Sequence, residues 1–193
     1  MTQLLKNQIR QNILAKRNSF VIPEEAIDII TTHFIENIVP LLKPEAILAG
    51  YYPSGSELNL LPLLKQLANL SFQIALPIIN SSKSIDFYAW QPGSSMIASK
   101  YASQILEPKN QHQALLPDLV IAPLIACDGA GNRIGSGKAM YDKSIAKLKA
   151  LKPNLLYIGL CYDFQLLDNI PTQEHDQKLD LIITEKKHLV CES

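Results

Sequence analysis

Apolar positions recur at helical spacing in four segments of the chain. Leu5, Ile9 and Ile13 lie four residues apart and predict an amphipathic helix at the N-terminus. Pro23 is a helix-start signal, and Pro40 and Pro44 end the apolar stripe that follows it. This stripe comprises Ile27, Ile30, Phe34, Ile38 and Leu42. Two further helices are predicted over residues 60–70 and 139–151.

Short apolar runs alternate with these helices and predict strands over residues 46–52, 72–77, 85–90, 119–123, 155–161 and 179–184. Residues 91–117 are polar and irregular, and we interpret them as a long excursion. Alternating strands and helices predict an α/β fold, a three-layer α/β/α arrangement with a mostly parallel sheet. We expect residues 1–193 to form a single domain, with ligands at the carboxyl ends of the strands.

Composition narrows the possible functions. Lys plus Arg and Asp plus Glu number 18 each, so the formal net charge is zero. This balance argues against a nucleic-acid or membrane-surface binder, which would carry a basic surplus. The three cysteines have no zinc-site spacing, and neither a signal-peptide core nor a membrane-length apolar run is present. We therefore expect free thiols and a cytoplasmic monomer without nucleic-acid or membrane partners.

The most informative segment is the glycine loop, residues 128–142, which contains four glycines between a predicted strand and a predicted helix. Glycines allow backbone N–H groups to converge on an anion, and Arg133 and Lys138 add positive charge. Asp142 could hold a divalent cation beside a phosphate. The segment matches neither the Walker A nor the Rossmann pattern, because residue 132 is Asn and residue 134 is Ile. A plain turn remains the alternative.

The glycine loop resembles the signature of the 5-formyltetrahydrofolate cyclo-ligase family, approximately Asp-x-x-Gly-x-Arg-Leu-Gly-x-Gly-x-Gly-Tyr-Tyr-Asp. The likeness extends in order along nearly the whole chain. Further matching positions are Lys6 and Arg10, Tyr52-Pro53 with Glu57, Phe87 to Trp90, Glu107-Pro108, Ile158-Gly159, Asp163 to Gln165, Pro171 and His175-Asp176.

The resemblance implies the conversion of 5-formyltetrahydrofolate to 5,10-methenyltetrahydrofolate. This reaction consumes ATP, requires Mg²⁺ and releases ADP and phosphate. Phosphorylation of the formamide oxygen turns a poor leaving group into a good one, so that N10 can close the ring. Such phosphoryl transfer depends chiefly on positioning and charge neutralisation.

The resemblance also implies roles for individual residues. Catalytic roles fall to Lys138, Arg133 and Tyr141, and Mg²⁺ ligation to Asp142 and Asp176. Substrate binding falls to Tyr52, Glu57 and Tyr141. ATP binding falls to Lys6, Arg10, Arg133, Ile134, Gly135, Ser136, Gly137, Lys138, Ala139, Met140 and Tyr141.

Several of these positions have a simpler structural interpretation. Lys6 and Arg10 are also typical of a solvated basic helix face, and Asp176 of a turn cap. Ser54 and Glu57 have the spacing of a capping box, which would compete with a role in folate binding. The chain departs from the family pattern at Ala139 and Met140, where glycine and tyrosine are usual, and after the strand at Pro123-Leu124.

Two rival functions stay open at this point. A divergent family member could bind folate or nucleotide without efficient turnover, which the departures at Ala139 and Met140 favour. An unrelated sugar-phosphate isomerase on a similar scaffold would need a general base near the glycine loop and no ATP.

Overall fold

The computed structural model describes residues 1–109 and 112–191. The helices in these residues are α1 (Thr2–Ser19), α2 (Ala26–Asn37), α3 (Leu61–Asn69) and α4 (Met140–Leu151), with 3₁₀ turns at Val39–Leu41 and Asp163–Gln165. In the same part of the chain no helix combines the length and the apolar character needed to span a bilayer.

The strands over the described residues form three sheets. They are β1 (Ile47–Ala49), β2 (Gln73–Ile79), β3 (Ile85–Trp90), β4 (Met96–Ala98), β5 (Leu106–Pro108), β6 (Ala114–Leu115), β7 (Leu119–Ala122), β8 (Ala126–Asp128), β9 (Arg133–Ile134), β10 (Leu156–Leu160), β11 (Leu166–Leu167), β12 (Leu181–Ile183) and β13 (His188–Val190).

The main sheet has the order β13-β12-β10-β7-β1-β2-β3-β6. Its central strands, from β12 to β2, run parallel, with Leu48 opposite both Ile74 and Leu119. The flanking strands β13, β3 and β6 pair antiparallel. The predicted mostly parallel α/β sheet is therefore confirmed.

Helices cover both faces of this sheet. Side chains alternate between its two sides along each strand, so that each face has its own apolar cluster. Leu48, Ile74 and Ile121 belong to the apolar cluster that includes Phe34 of α2 and Leu64 of α3. Strand residues at neighbouring positions, such as Ala49, Ala75 and Val120, belong to a second cluster with Ile145 and Leu148 of α4. The result is the predicted three-layer arrangement.

The N-terminal helix α1 packs on a separate small sheet. Strands β11, β8 and β9 form this sheet, with β8 and β9 antiparallel. Ile13 of α1 joins Ile125, Ala126, Ile134 and Ile170 in a third apolar cluster. The helix therefore lies across the segment that carries the glycine loop instead of covering the main sheet.

Asp128 fixes the hairpin between β8 and β9. Its carboxylate accepts hydrogen bonds from the backbone N–H groups of Ala130, Asn132 and Ile170 at 3.1, 3.0 and 2.8 Å, and from the Asn132 side-chain amide at 2.9 Å. Asp128 is almost completely buried. Asp128, the first residue of the glycine loop, therefore has a structural role that the sequence analysis did not predict.

The residue before helix α4 has an unfavourable backbone conformation. Ala139 precedes its first turn with φ 51° and ψ 18°, which is the left-handed region. A non-glycine residue in this region costs about 1–3 kcal/mol. Glycine, which is usual here in the resembling family, would adopt the same backbone without that cost.

The structure corrects several details of the sequence prediction. Leu5 is 44% exposed, whereas its neighbour Lys6 is 6% exposed, so the buried face of α1 is partly basic and not purely apolar. Helix α2 ends at Asn37, and the residues before Leu42 form a 3₁₀ turn. The predicted excursion contains β4, β5 and β6, and its residues 110–111, like residues 192–193 of the predicted domain, lie outside the described chain. Strand β13 and the short strands of the small sheet were not predicted.

Replacing Asp128 by alanine tests the hairpin clamp. We expect the free energy of unfolding to fall by about 3 kcal/mol, because four hydrogen bonds are lost and the buried Ile170 N–H group, left without a partner, alone costs about 1–3 kcal/mol. Denaturant titration followed by circular dichroism measures the change. Asp168→Ala is the matched control, since Asp168 is exposed. A loss no larger than that of the control would contradict the clamp.

Replacing Ala139 by glycine tests the strain at the start of α4. We expect a gain in unfolding free energy of about 0.5–1 kcal/mol, because relief of the left-handed alanine outweighs the greater freedom of glycine in the unfolded chain. The same change at exposed Ala146, inside α4, is expected to cost about 0.5–1 kcal/mol. Equal signs for the two variants would rule out the strain.

Candidate active site

A cavity of about 520 Å³ lies between α1, the glycine loop, the turn after β1 and the segment around residue 176. It opens beyond the carboxyl ends of β1 and β7, where ligands bind in parallel sheets. Its wall includes all the site residues predicted from the sequence: Lys6, Arg10, Tyr52, Glu57, Arg133, Ile134, Gly135, Ser136, Gly137, Lys138, Ala139, Met140, Tyr141, Asp142 and Asp176.

Arg10 joins α1 to the glycine loop. Its Nε donates a hydrogen bond to the Gly135 carbonyl oxygen at 2.8 Å, and its Nη1 donates to Asn7 Oδ1 at 2.6 Å. Gly137 has φ 88°, and a Cβ built there would lie 3.3 Å from the Arg10 guanidinium. Glycine at 137 therefore serves both a left-handed turn and a close approach to the arginine.

Lys6 forms an ion pair with Asp176, which joins the N-terminal helix to the far end of the chain. Asp176 Oδ2 also accepts a hydrogen bond from the Gln173 backbone N–H at 2.7 Å. The carboxylate therefore caps this turn, as one interpretation of the sequence predicted, and it also lines the cavity. The solvated-face interpretation of Lys6 is wrong, because Lys6 is buried.

Arg133 lies beneath the glycine loop and holds Asp142. Its Nη2 donates to Asp142 Oδ1 at 3.0 Å and its Nη1 to the Pro123 carbonyl oxygen at 3.1 Å. Burial favours the neutral form, but the neighbouring Tyr157 and Asp142 outweigh it and raise the pKa of Arg133. A Cβ at Gly135 would lie 2.6 Å from Arg133 Nη1, so the loop passes directly over the guanidinium.

Lys138 differs from Lys6 and Arg133, which are paired with carboxylates. It is exposed at the cavity wall, and it forms no ion pair with any residue in 1–109 or 112–191. Its ammonium group is therefore available to a ligand without displacement of a protein carboxylate.

The opposite end of the cavity carries Glu57. Its Oε2 accepts a hydrogen bond from the Ser54 backbone N–H at 2.9 Å, which is the contact that the capping-box spacing predicted. The segment is a turn, however, and α3 begins later, at Leu61. Burial raises the pKa of Glu57, and the Ser54 hydrogen bond and the charge of Arg17 oppose this rise. One carboxylate oxygen serves the turn, and the other has no partner among the described residues.

Two tyrosines complete this part of the wall. Tyr52 is half-buried beside the cavity. The Tyr141 hydroxyl is buried and makes no hydrogen bond within the described part of the chain. Burial raises the pKa of Tyr141 well above its usual value, so the hydroxyl keeps its proton as a donor. Met140 lines the cavity but also packs against the core below α4.

Sequence reasoning missed some residues of the cavity wall. Arg17, Gln104, Ile105, Leu106 and Gln173 line it without having been predicted. Arg17 lies on the same face of α1 as Lys6 and Arg10, so extending their helical spacing would have found it. The residues between 104 and 106 come from the irregular segment, where no periodic signal was present.

The cavity offers few metal ligands. Across residues 1–109 and 112–191 no cluster of three or more His, Cys, Asp or Glu side chains could hold an ion. Asp142 and Asp176 nevertheless lie near each other, because Asp142 Oδ1 accepts a hydrogen bond from the backbone N–H of Gln177 at 3.3 Å. Two carboxylates suit an ion such as Mg²⁺, which takes most of its ligands from water and phosphate.

Comparison with solved structures gives two close matches in fold. A methenyltetrahydrofolate synthetase from Aquifex aeolicus aligns with a TM-score of 0.80 at 24% identity, over 98% of this chain and 94% of the other. A synthetase from Mycoplasma pneumoniae aligns with a TM-score of 0.72 at 23% identity, over 93% and 98% of the two chains. At these identities the match shows the fold.

Sequence comparison gives the family. The 5-formyltetrahydrofolate cyclo-ligase of Escherichia coli K12 is 30% identical over 145 residues, covering 72% of this chain and 78% of that protein. The enzyme of the same name from Haemophilus influenzae is 26% identical over 183 residues, covering 91% and 92%. The family model for 5-formyltetrahydrofolate cyclo-ligases matches residues 3–185. The ordered motifs, the fold and these relatives agree, and the chain belongs to the 5-formyltetrahydrofolate cyclo-ligase family of enzymes.

Proposed function

We propose that this protein converts 5-formyltetrahydrofolate and ATP to 5,10-methenyltetrahydrofolate, ADP and phosphate, with Mg²⁺ bound at the phosphates. The observation that carries the proposal is one continuous cavity with a cationic glycine loop at one end and the partly buried carboxylate of Glu57 at the other. The cationic end suits a triphosphate, and the carboxylate suits the N–H groups of a pterin. Family membership favours this reaction over that of a sugar-phosphate isomerase.

The phosphates are assigned to the glycine loop and the cavity face of α1. Lys138 is exposed at the wall and forms no ion pair within the described residues, and Arg10 already bonds the loop through Gly135. Gly137 has a left-handed backbone at the cavity wall, and backbone N–H groups in turns of this kind can bind anions. We assign Arg133 a positioning part, because its side chain is buried and bonded to Asp142 and Pro123.

The chemistry then follows from positioning. The formyl oxygen attacks the γ-phosphorus, and the bond to the ADP oxygen breaks. N10 next attacks the activated formyl carbon, and the carbon–oxygen bond breaks as phosphate leaves with that oxygen and the N10 proton is lost. The protein supplies alignment of the two substrates and positive charge where negative charge moves.

Asp142 and Asp176 are proposed to hold Mg²⁺. When bound, the ion would neutralise charge on the phosphate oxygens during transfer. In this structure both carboxylates are engaged by cations, Asp142 by Arg133 and Asp176 by Lys6. We infer that Mg²⁺ at Asp176 would compete with Lys6 for that carboxylate, and that Lys6 would then be free to pair with a phosphate, an exchange of ion-pair partners.

Glu57, Tyr52 and Tyr141 are proposed to bind the folate. The carboxylate oxygen of Glu57 that the turn leaves free would accept from the pterin N–H groups. The buried Tyr141 hydroxyl has no partner in the described chain and lines the cavity, so a ligand acceptor would satisfy it. Tyr52 would form part of the wall.

A second candidate is a family member that binds its ligands without efficient turnover. Ala139 supports it, because the loop carries backbone strain at the position beside the proposed phosphate site. Met140 supports it further, since a thioether cannot replace a tyrosine hydroxyl as a hydrogen-bond donor. Ligand binding without formation of ADP would favour this candidate.

The direct test is ultraviolet absorbance of the methenyl product, measured with 5-formyltetrahydrofolate and Mg-ATP together with an ADP assay. We expect one ADP for each methenyl group formed. Lys138→Ala is expected to reduce turnover by about 100-fold, because a charged hydrogen bond to the transferring phosphoryl group is lost. Asp142→Asn is expected to reduce turnover to a similar extent, because the proposed Mg²⁺ site loses one of its two carboxylates.

Lys143→Ala is the matched control for these variants. Lys143 is exposed on α4, and it lies outside the cavity wall. Thermal denaturation of each variant separates loss of turnover from loss of folding, which matters for Asp142 because of its pairing with Arg133. Absence of product at high protein concentration would defeat the proposed reaction, and full activity of Lys138→Ala would defeat the phosphate assignment.

The exchange of ion pairs predicts strong coupling between Mg²⁺ and nucleotide. Either ligand alone must break the Lys6–Asp176 pair and leaves one of the two side chains without a partner. Together, the phosphate pairs with Lys6 and Mg²⁺ binds Asp176, so both side chains regain a partner. We expect calorimetry to give affinity for Mg-ATP at least about 10-fold above that for ATP with a chelator, typical of coupling free energies of 1–3 kcal/mol. In Lys6→Met this coupling should shrink. Equal affinity with and without Mg²⁺ would contradict the exchange.

A further inference from the structure

Helix α1 carries a third cation on its cavity face that the phosphate assignment leaves unused. Arg17 lines the cavity with Lys6 and Arg10. At 1.5 Å per residue it lies about 16 Å along the helix from Lys6, and at 3.6 residues per turn it points in nearly the same direction. Lys6 is at the glycine-loop end, so Arg17 is at the Glu57 end.

Arg17 is fixed by two hydrogen bonds, but part of its guanidinium group has no hydrogen-bond partner among the described residues. Its Nε donates to Ser56 Oγ at 3.1 Å, and its Nη1 donates to the Leu124 carbonyl oxygen at 3.1 Å. The residue is only 8% exposed. Among the described residues no carboxylate lies within ion-pair distance of it, and its Nη2 has no hydrogen-bond partner. A buried guanidinium in this state favours a ligand that can accept from it.

Glu57 is the complementary group at the same end. It follows Ser56, so the hydrogen bond from Arg17 to Ser56 fixes the guanidinium beside the turn that carries the carboxylate. The turn uses Oε2, which leaves Oε1 for a ligand. This end of the cavity therefore presents an acceptor and a rigid cationic donor next to each other.

We propose that Arg17 is a substrate-binding residue that determines specificity for the 4-oxo group of the pterin. The pyrimidinone edge of 5-formyltetrahydrofolate presents the 2-amino group and N3–H as donors and then the 4-oxo oxygen as acceptor. Glu57 accepts from the donors, and Arg17 donates to the oxygen. This inference rests on the proposed function, and it concerns which atoms of the substrate the protein recognises.

The test compares binding of 5-formyltetrahydrofolate with binding of its 4-amino-4-deoxy counterpart by calorimetry. The 4-amino group cannot accept from a guanidinium, so Arg17 should discriminate against it. We expect Arg17→Met to weaken binding of the 4-oxo ligand by about 10- to 100-fold, as for loss of a hydrogen bond to a charged group. Binding of the 4-amino ligand should change less than about 3-fold.

Further variants separate recognition from a purely structural part. Arg17→Lys keeps the charge but loses the planar fork and should recover only part of the discrimination. Lys16→Met is the matched control, because it removes a cation from the neighbouring position, which is exposed and outside the cavity wall. In steady-state kinetics Arg17→Met should raise KM for the folate and leave KM for ATP unchanged, since the phosphates lie at the far end of α1.

The pH dependence gives an independent readout. Burial raises the pKa of Glu57, while the Ser54 N–H of its own turn and Arg17 from α1 lower it. The neighbouring tyrosines are Tyr51 and Tyr141, whose own pKa values the Glu57 charge raises. Folate binding needs ionised Glu57 and is lost as the pH falls through its raised pKa. Without Arg17 that pKa rises further, so the loss should begin at higher pH in Arg17→Met and be absent in Glu57→Gln.

The outcomes separate this inference from the proposed function. If the wild-type protein neither binds nor converts 5-formyltetrahydrofolate, both are wrong. If it does so, and folded Arg17→Met or Arg17→Lys loses affinity for both ligands equally, the recognition of the 4-oxo group is wrong while the reaction stands. Unchanged discrimination in both variants would overturn the inference in the same way.

Discussion

The contact between α1 and the glycine loop is the interaction on which the rest of the site depends. Arg10 bonds the Gly135 carbonyl oxygen, and Lys6 bonds Asp176, so the first helix is joined to two segments far along the chain. Without this helix the cavity would lose one complete wall. The helix also brings its three cations to one side of the site, because their spacing places them on a single helical face.

Charge in the cavity is arranged in pairs that a ligand can rearrange. The chain carries no net charge, yet two buried cations at the glycine-loop end of the cavity pair with partly buried carboxylates, Lys6 with Asp176 and Arg133 with Asp142. Buried ion pairs stabilise a protein weakly, because desolvation offsets most of their attraction. A phosphate or a metal ion can therefore replace one partner at modest cost, which suits a site that must bind charged ligands and release them.

Every residue to which the family resemblance assigned a role lies on the wall of one cavity, and the roles themselves stay predictions. Local spacing was less reliable. It treated the N-terminal helix as an apolar stripe through Leu5, whereas burial of Lys6 follows from the partner that the fold supplies, Asp176. It also presented capping and ligand binding as alternatives for Glu57, although the two oxygens of one carboxylate can serve each purpose separately.

Periodicity alone determined the order of the four helices and of the six main-sheet strands that it predicted, the mostly parallel sheet and the position of the glycine loop beyond a strand. These follow from local burial patterns, which are written in consecutive residues. The tertiary structure decided which distant residues meet: Lys6 with Asp176, Arg17 with the turn before Glu57, and Asp128 with Ile170. It also decided the left-handed backbone of Ala139. Such features depend on the packing of segments far apart in the chain, and local spacing carries no information about that packing.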